Sequence, residues 1–176
     1  QLFRMWRRLR LKQSGDGRGP STVRGSAEHE AFVAQRARTV GVSTPSVLAI
    51  AVVPDERGAV TVFDAVQGST FDCAEPDELS DAALRSAWAQ VQILRRAGIA
   101  HRDLRAANVM CVDDDAWLID FGFAQAAAPD ELLDRDIAIL RVGRAQIRRR
   151  ERNDARPAGG KRRSGCETIR ERRSGQ

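Results

Sequence analysis

The residue pattern predicts an α+β fold, and three stretches carry that expectation. The runs Val47–Val53 and Gly58–Phe63 are rich in β-branched residues and are separated by Pro54, Asp55, Glu56 and Arg57, which reads as a hairpin. Between residues 77 and 97, Leu79, Ala82, Ala83, Trp88, Val91, Ile93 and Leu94 form one broad apolar face at helical spacing. A second hairpin follows, in which Val109–Val112 and Trp117–Ile119 flank the polar turn Asp113, Asp114 and Asp115.

Taken in order, Leu2, Met5, Trp6 and Leu9 lie at helical spacing among arginines, so residues 1–12 predict an amphipathic helix. Gly15, Gly17 and Gly19 then punctuate a linker. Their spacing does not fit a phosphate-cradling loop, because no β-rich flanks accompany them. Ser26 stands where an N-cap belongs, Glu28 and Glu30 occupy the first turn, and Ala31, Phe32, Ala34 and Ala37 offer an apolar face. These predict a helix from Ser26 to about Val40, stopped by Gly41. The long helix at 77–97 takes Asp77 or Ser80 as its cap and ends at Arg95, Arg96 and Gly98. Glu131–Leu140 predicts a last helix with Asp136 near its middle.

Composition narrows the function classes. A chain of 176 residues that is 42% hydrophobic and 30% charged has room for one globular domain and a tail. No apolar run approaches the ~20 residues of a membrane span. Cys73, Cys111 and Cys166 form no zinc or redox motif, which predicts free thiols in a reducing cytoplasm. The net charge of +5 is unevenly spread, since residues 141–176 hold thirteen Lys or Arg against four Asp or Glu, a net of +9. That leaves −4 for the rest. The tail has no apolar periodicity and predicts disorder. Its basicity suits an anionic lipid or nucleic acid, although it lacks an aromatic residue for base stacking. A shift of reading frame near Arg141 accounts for the same abrupt change of composition.

The chemistry concentrates in residues 101–122. His101, Arg102, Asp103, Leu104 and Asn108 form the pattern His-Arg-Asp-Leu-x-x-x-Asn, and Asp120, Phe121 and Gly122 follow twelve residues after the Asn. Asp103 can orient a hydroxyl and take its proton. Asn108 and Asp120 bring hard oxygen ligands suited to Mg²⁺ on nucleotide phosphates. The hairpin between them returns the chain beside its start, so both can face one site. His101 reads as a structural hydrogen-bonding residue rather than a base.

These two motifs resemble the catalytic and metal-binding loops of the protein-kinase superfamily. Residues 24–140 as a whole look like the compact kinase-like domain attached to actinobacterial membrane proteins of the lysylphosphatidylglycerol-synthase or flippase type. Glu28–Phe32, the strand entry Pro45–Leu48, and Asp120–Ala124 carry the wider resemblance. It implies a two-lobed protein-kinase-like α+β fold using ATP and Mg²⁺. Asp103 would be the base, with Arg102 beside it in the catalytic set, and Asn108 and Asp120 the metal ligands. Glu30 would pair with a phosphate-holding lysine, unless Glu28 and Glu30 merely complement the helix dipole. Asp64–Val66, in the stretch Phe63–Gly68, would meet adenine as the hinge. The resemblance also implies a membrane-protein context and a place in the cytoplasm or at the inner membrane face.

Departures from the family pattern shape the expectation. No glycine-rich loop or Val-Ala-x-Lys strand precedes Glu30, and Lys12 is the lone lysine before the tail, in helical surroundings. The segment after Gly122 is short, and Ala128-Pro129-Asp130 imitates the usual Ala-Pro-Glu ending far too early. The small lobe therefore reads as incomplete and the large lobe as truncated. The start at Gln1 rather than Met likewise suggests a fragment. The division expected is an N-terminal helix and linker (1–23), a kinase-like domain (24–140) and a basic tail (141–176). Two functions stay open: an ATP-dependent phosphotransferase core with an unnamed phosphate acceptor, or a nucleotide-binding pseudokinase, regulatory module or decayed remnant.

Overall fold

The computed structural model describes residues 22–53, 58–74 and 79–140. The N-terminal amphipathic stretch, Lys12, the turn at 54–57, Asp77 and the basic tail lie outside the described residues. So do the lipid or nucleic-acid expectations placed on the tail.

Helix α1 spans Val23–Thr39 and begins earlier than the sequence suggests. Thr22 is the N-cap, its side-chain oxygen accepting from the Gly25 N–H at 3.0 Å. Ser26, the expected cap, sits within the helix and donates its hydroxyl to the Thr22 carbonyl at 3.0 Å. The buried stripe is Ala27, Ala31, Val33, Ala34 and Ala37. Phe32 is 62% exposed, so Val33 takes the place on the apolar face that the sequence offered to Phe32. Gly41, at φ 98°, turns the chain out of the helix, a left-handed conformation that glycine adopts without a Cβ penalty.

Strands β1 (Val47–Val52) and β2 (Ala59–Phe63) form the expected antiparallel hairpin, with an irregularity between Val47 and Ala49. Helix α1 packs against it. The chain then crosses to the second half of the molecule through residues 64–68. There β3 (Ser69–Thr70) joins the edge of β5 (Val109–Val112), and β5 pairs with β6 (Asp115–Leu118) as predicted.

Helix α2 (Asp81–Arg96) is capped by Ser80, whose side chain accepts from the Ala83 N–H at 3.0 Å. It buries Ala83, Ala87, Gln90, Val91 and Leu94 and packs on β6. Short strands β4 (Ile99–Ala100) and β7 (Gln125–Ala126) pair antiparallel, so the loop that starts at His101 and the segment after Asp120 lie at neighbouring points. A final helix, α3, covers residues 130–140.

The two halves share one core. Val33, Ala34, Ala37 and Val42 from the first half cluster with Leu94, Ile99, Leu104, Leu118 and Phe121 from the second. A polar clasp reinforces the junction: the Ser43 N–H donates to Gln90 Oε1 at 2.8 Å, and the Leu118 N–H donates to the Ser43 carbonyl at 2.9 Å. No helix among the described residues is long and apolar enough to cross a membrane. Cys111 is a buried free thiol, whereas Cys73 is disulfide-bonded, which corrects the expectation of three free cysteines.

Candidate functional site

The site grows from the loop between β4 and β5. Two strand ends fix it, and a carboxylate from α3 fixes its backbone. Asp136, only 2% exposed, accepts from the His101 N–H at 2.5 Å and from the Arg102 N–H at 2.7 Å. Burial pushes the Asp136 carboxyl up from its ordinary value, while these two N–H donors and the nearby Arg102 charge pull the other way. Arg102 sits at φ 66°, a left-handed conformation uncommon for a non-glycine residue, and its anchored N–H holds it there.

His101 is fully buried. Its Nε2 lies 3.1 Å from the Ile119 carbonyl, which can only accept, so Nε2 carries the hydrogen and Nδ1 is the bare nitrogen. Burial lowers its pKa to about 4, against smaller opposing contributions from the Ile119 bond and the Asp103 charge. The ring centroid stands 4.7 Å from that of buried Phe121. His101 is therefore a neutral structural pin between the catalytic loop and the Asp120 loop, as its sequence context suggested.

Asp103 is held on several sides. Arg105 donates from Nε to Oδ1 at 2.7 Å and from Nη2 to Oδ2 at 2.9 Å. Asn108 donates from Nδ2 to the Asp103 carbonyl at 2.8 Å and to Oδ2 at 2.9 Å. Two acceptors on one side of the Asn108 amide fix its orientation, because only the nitrogen can face both. Its Oδ1 is consequently turned the other way, buried and without a hydrogen-bond partner.

That orphan oxygen fits a cation. Asn108 closes a one-turn 3₁₀ segment, and the Ile119 N–H donates to its carbonyl at 3.0 Å, extending the hairpin by one rung. Asp120 follows immediately, half-buried and left-handed at φ 68°, ψ 67°. Aspartate tolerates this region better than most residues, and such strain concentrates at functional positions. Among the described residues no three His, Cys, Asp or Glu side chains converge as a metal cage. An amide oxygen beside one carboxylate is instead the sparse protein donor set that Mg²⁺ accepts when phosphates and water complete its shell.

The remaining expected residues flank this centre. Glu30 is half-buried on α1, and the adjacent His29 places Nε2 2.8 Å from the Ala124 carbonyl, tying α1 to the segment after Asp120–Gly122. Asp64 is exposed at the end of β2, and Val66 is half-buried two residues on. The Asp64 N–H donates to the Ser46 carbonyl at 2.9 Å.

The mixed architecture and this loop order coincide with a known fold. The structure aligns with the Rio2 kinase–ADP/Mg²⁺–phosphoaspartate complex from Chaetomium thermophilum at a TM-score of 0.53, over 67% of this chain and 37% of that one, with 17% identity. The fold is protein-kinase-like. In sequence, the chain is 28% identical over 115 residues to the KEOPS complex subunit Bud32 of Pyrococcus abyssi, covering 64% of this chain. It spans half the length of that curated relative. No family model matches the chain.

Two residues of this candidate site escaped the sequence reading. Asp136 was visible only as a helix position, because its partners are backbone N–H groups more than thirty residues away. Arg105 carried a weak signal, an arginine two residues after the expected base, whose bidentate grip only the coordinates reveal.

Proposed function

We propose that the chain carries the base and metal-binding half of an ATP-dependent phosphotransferase. The observation that carries this reading is the Asn108 side chain, whose nitrogen is spent on Asp103 and whose buried oxygen has no partner. One amide thus links the proposed base to the proposed metal position.

In this reading Asn108 and Asp120 hold Mg²⁺, which neutralises charge on the nucleotide phosphates. Asp103 receives the acceptor hydroxyl and takes its proton. Arg102 belongs to the catalytic set by keeping the loop in its left-handed turn. Glu30 on α1 faces the phosphate side, and Asp64 to Val66 meet adenine. The Rio2 complex holds ADP and Mg²⁺, which supports this choice of ligands. Phosphoryl transfer needs positioning and charge stabilisation more than covalent help, which such a half-site can supply.

A nucleotide-binding regulatory module without turnover is the second reading. It is favoured by a first-half sheet of two strands among the described residues. The cytoplasmic face of a membrane, a lipid or nucleic-acid contact through the tail, and the flippase-type context remain proposals resting on sequence alone.

Adding ATP with Mg²⁺ to the purified chain is expected to raise its thermal midpoint, and Asp120→Ala to remove that shift. No shift in the wild type would refute both readings. ATP turnover that disappears in Asp103→Ala selects the phosphotransferase, whereas binding without turnover selects the regulatory module.

A further inference from the structure

Asp120 sits in a conformation it does not hold unaided. Its backbone is left-handed at φ 68°, ψ 67°, and a non-glycine residue stays there only when its surroundings over-determine it. The chain has two histidines, and each reaches a carbonyl beside this loop. His101 donates to the Ile119 carbonyl, just before Asp120. His29, on α1, has Nε2 2.8 Å from the Ala124 carbonyl, just after the 3₁₀ turn Phe121–Phe123. A carbonyl only accepts, so Nε2 of His29 carries the hydrogen. The Ala124 N–H in turn donates to the Phe121 carbonyl at 3.0 Å, so the residue that His29 pins closes the turn that Asp120 opens.

We propose that His29 is a positioning residue: its bond to the Ala124 carbonyl fixes the far end of this turn and so keeps the Asp120 carboxylate in place for Mg²⁺. This rests on the Mg²⁺–nucleotide reading above and adds a residue of the first half that sets the geometry of a ligand in the second. Packing is a poor explanation for the imidazole. Helix α1 already buries Ala27, Ala31, Val33, Ala34 and Ala37, whereas the His29 contact is a directed bond to one backbone oxygen. The turn also needs such a handle at this end. Phe121 is anchored by its buried ring, but Gly122 has no side chain, Phe123 is 51% exposed and Ala124 offers a single methyl group. A hydrogen bond to the main chain is the means left to steer it, and groups that orient a metal ligand govern how well it binds.

The test compares wild type, His29→Ala and His29→Gln as full chains, following the ATP-dependent rise of the thermal midpoint as Mg²⁺ is titrated. Alanine is expected to raise the Mg²⁺ concentration at half the rise by about tenfold, the scale on which residues that orient metal ligands act. Glutamine, whose amide can donate to the same carbonyl, should stay close to wild type. A second readout needs no ligand. The amide hydrogens of residues 121–124 should exchange faster in the alanine variant than in wild type or the glutamine variant, while those of β5 and β6 stay unchanged. An unchanged Mg²⁺ requirement in alanine, a glutamine variant as impaired as alanine, or unchanged exchange at 121–124 would each overturn the proposal. Faster exchange throughout α1, β5 and β6 would overturn it too, because that marks general loosening. Absence of any ATP–Mg²⁺ shift in the wild type would sink the metal reading itself, and the exchange readout would still decide whether His29 holds the turn.

Discussion

The loop at residues 101–108 and the β1–β2 hairpin are buried in the reverse of what their compositions suggest. β1 is wholly apolar, yet Leu48, Ile50 and Val52 are 51%, 39% and 38% exposed. The candidate site holds His101, Asn108 and Asp136, and each is buried to 2% exposure or less. Hydrophobicity alone sorts these regions wrongly. What buries the polar residues is their pairing: Asp136 satisfies two N–H groups, Asn108 two acceptors, and His101 one carbonyl. Burying polar groups is costly unless they are hydrogen-bonded, so a polar interior implies a cross-braced one. The hairpin packs against α1, yet every residue of β1 after Val47 is exposed.

The sharpest way to break this contrast is to remove the brace that serves two residues at once. Asp136→Ala leaves the His101 and Arg102 N–H groups without their acceptor at the base of the loop. At about 1–3 kcal/mol for each stranded group, the expected destabilisation is about 4 kcal/mol, read from chemical denaturation. Asp136→Asn, which keeps one acceptor oxygen, should fall between wild type and alanine. If alanine costs under about 1 kcal/mol, the loop does not depend on α3 in the way its geometry indicates.

Next in size is the buried histidine, which acidification tests directly. The folded state holds His101 at about 4, below the ordinary 6.5, so the unfolded chain binds the extra proton first. Its contribution is therefore complete above pH 6.5 and is lost as pH falls through 4. The full effect is about 3 kcal/mol. Asp136 works in the opposite sense, because its raised carboxyl favours the protonated folded state and its contribution declines as pH rises above 3.8. Comparing wild type with His101→Gln separates the two. The wild type should lose about 3 kcal/mol relative to the variant between pH 7 and pH 4, and parallel pH profiles would contradict a buried neutral imidazole.

A smaller effect belongs to the crossing between the two halves. A Cβ placed on Gly68 would stand 2.2 Å from the Cys111 carbonyl oxygen, a backbone atom that cannot swing aside. Gly68→Ala should therefore push β3 away from β5 and cost about 2 kcal/mol, with residues 69–71 exchanging their amide hydrogens faster. An alanine variant of wild-type stability would show that the crossing is slack and that the braced region starts only at the loop itself.

How far the sequence reveals these regions depends on the reach of the interactions. Both hairpins, the long helix with its Ser80 cap, and residues 101–122 were legible, because turn chemistry, apolar period and phosphate chemistry act within short windows. The α1 start was misplaced by three residues because Thr22 and Ser26 are both competent caps, and the choice falls to the Gly25 N–H. Phe32 looked like core since it is the largest apolar residue in the helix, but the close approach of α1 to its neighbours favours small side chains such as Ala31, Ala34 and Ala37. Asp136 and Arg105 were not legible as site residues. A carboxylate serving backbone N–H groups leaves no pattern in its partners' identities, and a fork two residues long looks like ordinary surface charge.

The smallest expected effect is the most discriminating for the hairpin. Leu48 lies on β1 with half its surface exposed, at the irregularity between Val47 and Ala49. If its exposed surface meets only water, Leu48→Ser removes little buried area, and stability should stay within about 0.5 kcal/mol of wild type. Solubility should rise, because an exposed apolar strand is a template for association. A loss above about 1.5 kcal/mol would mean instead that the side chain is buried in the working protein, at the scale of a removed core aliphatic group. The hairpin would then be as enclosed as the catalytic loop, and the contrast between them would vanish.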